Sequence, residues 1–278
     1  MISLDQSVTA TIQYARFFNY DLTLTDLHRR LISSRFTPKE QLKDFLDQVP
    51  QLKKHIHLQP TTKRQERKKI SQRKLKMARR FASFIKYLPT IRLVAVTGSV
   101  AVNNARPQDD IDILIVTTPH TLWITRPFVF LITTLFFSRR HPQKKITTSN
   151  DICNNLWLDS LSLSVPKSKR NLYTAHEILQ VKPLFDRRNT YNKLLSQNTW
   201  VKQHLANAYS SLNKKPPQTN RSHIFYLLAP LNWLLFSLQY LYMKPKLTQE
   251  TITLHSAYFH PRSLYPKIVS QLTNQVQG

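Results

Sequence analysis

The sequence predicts an α/β (α+β) core with a small mixed sheet, flanked by a helical N-terminal unit and a helical C-terminal region. Three observations carry this expectation. Short runs rich in β-branched and apolar residues, at 91–96 and 110–116, read as buried strands. Segments with helical apolar spacing alternate with them, and Pro, Asn or Gly marks the junctions. The 278 residues are 41% hydrophobic, enough for the core of one large domain or of two to three small ones.

Residues 1–60 read as three short helices and a strand-like piece. A first helical run covers 8–18; Leu24, Leu27, Leu31 and Ile32 follow at helical spacing behind Thr23 or Thr25, either of which suits a cap. A third helix begins after Thr37-Pro38, with Leu42, Phe45 and Leu46 as its apolar side, and 54–58 alternates like a strand. This layout resembles a winged-helix unit. The alternative is a helical cap that packs on the next domain and touches no DNA. Residues 61–88 form a basic linker helix: ten basic residues lie between Lys63 and Arg80 against the single acid Glu66, and Met77, Phe81, Phe84 and Ile85 form an apolar stripe behind them. Such a helix is either a solvated face or a nucleic-acid contact.

The core is expected over 89–165. A strand at 91–96 ends at Gly98-Ser99, a brief helix occupies 100–105, and Arg106-Pro107-Gln108 breaks it. A second strand follows at 110–116, then an apolar helix at 121–137 with one charge, Arg126, then a third strand at 151–158. From 166 to 278 the chain reads as helical: Asn171 caps 172–181, a longer helix covers 191–209, and 211–221 is a polar linker with Pro216-Pro217. Residues 224–243 carry no charge, a length that reaches across a bilayer. Pro230, Asn232, Ser237 and Gln239 interrupt that stretch, so a buried or amphipathic helix packed on the protein is expected, and a membrane partner is the lesser alternative. The last thirty residues, with His255 and His260-Pro261, show no readable pattern.

Forty-one Lys and Arg against 15 Asp and Glu give a net charge of +26, which suits a polyanionic partner such as nucleic acid or an anionic membrane surface, or reflects a generally cationic surface. The single cysteine, Cys153, excludes an internal disulfide and fits no Cys/His metal spacing. The N-terminus lacks the charge and apolar pattern of a signal peptide, so the expected location is the cytoplasm.

The most informative residue is Gly98. The chain has two glycines, and the internal one stands where a strand meets a turn, the place for a positive φ or a close backbone approach. After Ser99 and a spacer of ten residues comes Asp110-Ile111-Asp112-Ile113, whose two carboxylates share one face of a strand and offer oxygen-only ligands to a hard cation. A bare backbone for phosphate and paired carboxylates for metal suit a nucleoside triphosphate.

Together these residues resemble the DNA polymerase beta-type nucleotidyltransferases, whose pattern is Gly-[Gly/Ser], a spacer of about nine to thirteen residues, then Asp-x-[Asp/Glu] on a strand. The stretch from Arg92 to Asn104, with Leu122-Trp123 and Asn171-Leu172-Tyr173-Thr174-Ala175, is similar to uncharacterised bacterial nucleotidyltransferase-domain proteins. The resemblance implies two Mg²⁺ ions on Asp110 and Asp112, an NTP substrate held at Gly98 and Ser99 with help from Asn103 or Asn104, and transfer of a nucleoside monophosphate to an acceptor hydroxyl. Charge favours RNA or another nucleic acid as acceptor. Arg126 either forks onto triphosphate oxygens or pairs with an aspartate as an anchor. Active relatives have a third carboxylate on a later strand. Asp151 is the preferred candidate here, followed by Asp159 and the more remote Glu177, because the strand interior carries Asn154 and Asn155. That substitution keeps open an alternative: a nucleic-acid-binding or regulatory protein with a catalytically degenerate fold. His176, His204 and His255 read as surface or packing residues, none having a second ligand at metal spacing.

Overall fold

The computed structural model describes residues 3–137, 151–212, 223–248 and 250–259, with 266 and 270. The linker prolines Pro216-Pro217 and the His260-Pro261 pair lie outside the described residues. Helix α1 (Leu4–Phe17) starts from a capping box in which Ser3 and Gln6 satisfy each other's backbone. Strand β1 (Leu22–Thr23) leads into α2 (Leu24–Arg30), where Thr23 and Asp26 form a second capping box. Then come α3 (Lys39–Gln48), α4 (Pro50–Lys53) and β2 (Ile56–His57). Val8, Ile12, Leu27, Leu31, Leu42 and Leu46 close a small core of their own. The expected helices are present, but β1 and β2 pair in parallel, Leu22 opposite Ile56, across the intervening helices. A wing is an antiparallel hairpin, and parallel strands need such a crossover instead.

Helix α5 (Thr62–Ile85) buries Ser71, Lys74, Leu75, Ala78, Phe81, Ala82 and Ile85, the repeat of a helix with one face on a core. Several of its basic residues are internal struts. Arg64 reaches back to Asp26 and Tyr20, and Arg67 donates to Asn19 O and to Asn104 Oδ1. Lys68, Lys69, Arg73, Lys76, Arg79 and Arg80 stay exposed.

A six-stranded mixed sheet follows. In chain order come β3 (Ile91–Val96), α6 (Gly98–Ala101), β4 (Ile111–Thr117), α7 (Leu122–Phe136), β5 (Ile152–Asp159), α8 (Leu172–Gln180), β6 (Lys182–Asp186), α9 (Thr190–Gln197), α10 (Ala206–Ser210), α11 (Ala229–Met243), β7 (Thr251–Ile252) and β8 (Ser256–Tyr258). The sheet order is β6-β3-β4-β5-β8-β7, with β4 and β5 parallel and the other neighbours antiparallel. Every residue of β3 is buried because both faces are covered. Val94 and Val96 pack with Phe81, Ile85, Trp123 and Trp157; Leu93 and Ala95 pack with Leu163, Val181 and Leu194.

The region after 166 is therefore not purely helical, since it supplies β6, β7 and β8. Strand β6 reads Lys-Pro-Leu-Phe-Asp and lies at the sheet edge, where proline is tolerated and alternation is weak. The expected helix at 191–209 is broken at Asn198, which is fully buried and turned inward: its amide donates to Leu163 O and its Oδ1 accepts from Val165 N. Across 224–243 a short 3₁₀ turn precedes the fifteen-residue α11. Among the described residues no helix is long and apolar enough to cross a membrane.

Candidate active site

Strand β3 runs out at Thr97, whose N–H donates to Asp112 O at 3.0 Å and ties the following turn to β4. Gly98 has φ of +61°, and a Cβ built there would stand 2.5 Å from Asp112 Oδ2. Both facts demand glycine, one through backbone conformation and the other through space. Asp110 and Asp112 lie on alternate positions and face a cavity of about 450 Å³, whose floor also includes Gly98 and Ser99. The N-terminal unit and α8 wall it in: Tyr14 comes from α1 and Phe18 from its C-cap, Tyr173 and Glu177 from α8. The described N-terminal helices thus cover the turn at Gly98.

The sequence reading missed the support beneath the aspartates. Lys74 is 2% exposed and donates from Nζ to Pro107 O at 3.0 Å and Asp109 O at 2.5 Å, pinning the loop that delivers Asp110. Burial lowers the pKa of its ammonium, and the charges of Asp109, Asp110 and Asp151 partly oppose that shift. A buried lysine in a run of ten basic residues has no local signature.

Strand β5 brings other groups to Asp112 than expected. Cys153 stands opposite Asp112 in the parallel register, and ligand atoms of Asp110, Asp112 and Cys153 all lie within 4.8 Å of one another. Asn155 donates from Nδ2 to Asp112 Oδ1. Asp151, the preferred third carboxylate, is 5% exposed, its carbonyl accepts from Ile111 N at 2.9 Å, and it does not line the cavity. Asp159 lies at the far end of β5, fully buried, where it accepts from His120 N at 2.7 Å and Leu161 N at 2.9 Å. His255 Nδ1 is 3.3 Å from Asp159 Oδ2, and with His120 these residues form a second group of potential ligands, assembled from three distant segments.

Glu177 lines the cavity from α8, alongside Asp109, Asp110 and Asp112, and burial pushes its carboxyl up to about 7. Tyr173 beside it is held protonated by burial first, then by the charges of Glu177 and Asp112. His176, which also lines the cavity, stacks on Tyr14 at 4.2 Å, and burial drives its pKa well below the usual imidazole range.

Two expected nucleotide-binding residues are placed elsewhere. Arg126 donates to Gln239 Oε1 at 2.9 Å and lies over the Phe259 ring at 4.7 Å, between α7 and α11, because its position on α7 faces that helix. Asn103 takes φ of +58° in the turn after α6, and it is Asn104 that reaches the cavity. Asn104 accepts from Arg67 and donates to Phe18 O at 3.0 Å, splinting cap to core.

No curated protein matches the chain. A solved structure described as "Crystal structure of the toxin-antitoxin with AMP-PNP" is similar at 17% identity over 45% of this chain and 83% of that one, with a TM-score of 0.24. Residues 75–135, from the buried half of α5 to the last turn of α7, match the model of the nucleotidyltransferase domain family, and the acidic cluster they carry is compatible with NTP-dependent transfer.

Proposed function

We propose that the protein is a Mg²⁺-dependent nucleotidyltransferase that moves a nucleoside monophosphate from NTP to an acceptor hydroxyl, with RNA as the favoured acceptor and the cytoplasm as its compartment. The observation that carries this reading is the approach of Gly98 to Asp112 on the floor of a capped cavity. A side chain at 98 would collide with Asp112 Oδ2, so only the bare backbone of glycine lets the turn pass this close to the carboxylate. The donor set fits a hard cation: two carboxylates, Asp110 and Asp112, with Cys153 the softer neighbour that Mg²⁺ disfavours. Bound there with substrate phosphates, the metal would neutralise charge developing on the transferred phosphoryl group.

The chain's own groups do the positioning. Gly98 and Ser99 present backbone and hydroxyl to the triphosphate, Tyr14 and Phe18 offer aromatic faces to the base, and Tyr173 offers a protonated phenol. Glu177, rather than Asp151, is the base that takes the acceptor proton, its pKa of about 7 matching operating pH. Net charge of +26 draws the acid backbone of RNA.

Calorimetry with each NTP, with and without Mg²⁺, tests this on wild type, Asp110→Asn and Asp112→Asn. Both variants should lose about 100-fold or more in Mg²⁺-dependent affinity; unchanged affinity refutes the reading. A second reading, a degenerate fold that binds nucleotide and RNA without turnover, is favoured by Cys153 and Asn155 beside Asp112. Incubation with labelled NTP, Mg²⁺ and cellular RNA separates the two: labelled RNA supports the enzyme, and steeply salt-dependent RNA binding without label supports the second.

A further inference from the structure

Helices α7 and α11 are apolar on two sides: Leu122, Trp123 and Val129 are fully buried on the core side, where Phe236 meets Trp123 at 5.1 Å. Polar groups also tie them together: Trp123 N donates to Asn232 Oδ1 at 2.8 Å, Gln239 Nε2 donates to Trp123 O at 2.8 Å, and Arg126 donates to Gln239 Oε1 at 2.9 Å. Asn232 is fully buried, and Thr125 and Thr133 point inward and bond back to their own helix. The outward faces are apolar. Phe128, Leu131 and Leu135 of α7 and Trp233, Leu238 and Leu241 of α11 are each 54–64% exposed. Arg126 is the only charged residue in either helix. A helix on a water-facing surface turns polar residues outward, and soluble monomers rarely expose large contiguous apolar patches.

We propose that α7 and α11 form a docking face that inserts, in the plane of the membrane, into one leaflet of an anionic lipid bilayer. Each helix has fifteen residues, about 22 Å of rise, which falls short of the roughly 30 Å hydrocarbon core and excludes a span. Cations border the patch where headgroups would lie. Lys244 and Lys246 are exposed immediately after α11, and Arg80 is exposed one turn before Phe84, whose ring meets Phe136 at 5.3 Å. Trp233 and Tyr242, both exposed, are the side chains that favour the membrane–water boundary. A second copy is the poorer occupant, because two chains of +26 repel while an anionic leaflet attracts. Apolar area plus headgroup attraction is how such in-plane helices bind. The proposal does not depend on the transferase reading.

The test is co-sedimentation of the full chain with vesicles of phosphatidylcholine alone and of 70:30 phosphatidylcholine:phosphatidylglycerol. Of the four tryptophans, Trp123, Trp157 and Trp200 are at most 8% exposed and Trp233 is 59% exposed, so a blue shift of intrinsic fluorescence reports Trp233 entering lipid. Expected are about 10-fold tighter partition onto the anionic vesicles, partial release by salt, and a blue shift absent from Trp233→Phe. Leu234→Glu with Leu238→Glu, both at exposed positions, should cut partition about 10-fold or more with an unchanged circular-dichroism spectrum. A chain that stays in the supernatant with both vesicles overturns the proposal. So does a dimer in light scattering that the same substitutions dissociate, because the occupant is then a second copy.

Discussion

Gly98 and Asp112 approach so closely that a Cβ on residue 98 would stand 2.5 Å from Asp112 Oδ2. Gly98→Ala therefore adds two costs: about 1–2 kcal/mol for an alanine at φ of +61°, and a displaced carboxylate. The variant should stay folded by circular dichroism, melt several degrees lower, and bind Mg²⁺–NTP at least about 10-fold more weakly by calorimetry. Full affinity in a folded Gly98→Ala protein would show that the close approach serves no ligand.

Cys153 stands opposite Asp112 and within ligand distance of both aspartates. It is partly exposed. A maleimide on this thiol would occupy the space of the metal and phosphates, so the labelled protein should lose NTP binding. Saturating Mg²⁺–NTP should in turn slow labelling about 10-fold, followed by mass spectrometry, because bound ligand blocks access to the thiol. Equal labelling rates with and without nucleotide would place the ligand elsewhere.

What the sequence revealed and what it hid divide by range. Gly98, Asp110 and Asp112 were legible because one turn and the start of one strand place them, Asp112 within β4 and Asp110 immediately before it. The cap at Asn171 was legible for the same reason, and the choice between Thr23 and Thr25 falls to Thr23. Lys74, Cys153 and Glu177 come to the aspartates from α5, β5 and α8, and register or helix docking places them rather than local spacing. Arg126 misled because an arginine on an apolar helix suggests a ligand, whereas Gln239, more than a hundred residues later, accepts it. Strands β7 and β8 have two and three residues, too short for any period to register.

Arg64 joins the cap to α5 through a fork onto Asp26, at 2.5 and 2.8 Å, and a contact with Tyr20 Oη at 2.9 Å. Burial opposes ionisation of Asp26, but hydrogen bonds from Arg64 and Thr23 outweigh it and hold the carboxyl below its ordinary 3.8. With a depressed native pKa, the pair's stabilisation is present at neutral pH and is lost as pH falls through the acid range. Arg64→Leu leaves a carboxylate that is 17% exposed without its partner and should cost about 2–4 kcal/mol in urea unfolding. Asp26→Asn in the same background should recover part of that loss. An additive double mutant would show the two side chains to be uncoupled.

Glu177 has the opposite sign. Burial raises its carboxyl from 4.5 to about 7, so the native state holds the proton more tightly than the unfolded chain. Stability therefore falls as pH rises between those values; the neutral carboxyl is accommodated below 4.5, and the full penalty, up to about 3 kcal/mol, is present above 7. Glu177→Gln keeps the shape and removes the charge. It should match wild type in urea unfolding at pH 5 and exceed it by about 1–3 kcal/mol at pH 8. Catalysis should move the other way: if Glu177 accepts the acceptor proton, log kcat/KM in wild type rises through about pH 7 with the free carboxylate, whereas the glutamine variant is slow and flat. A variant that gains stability at pH 8 but keeps the wild-type pH profile would leave Glu177 as a strained wall of the cavity and assign proton transfer to another group.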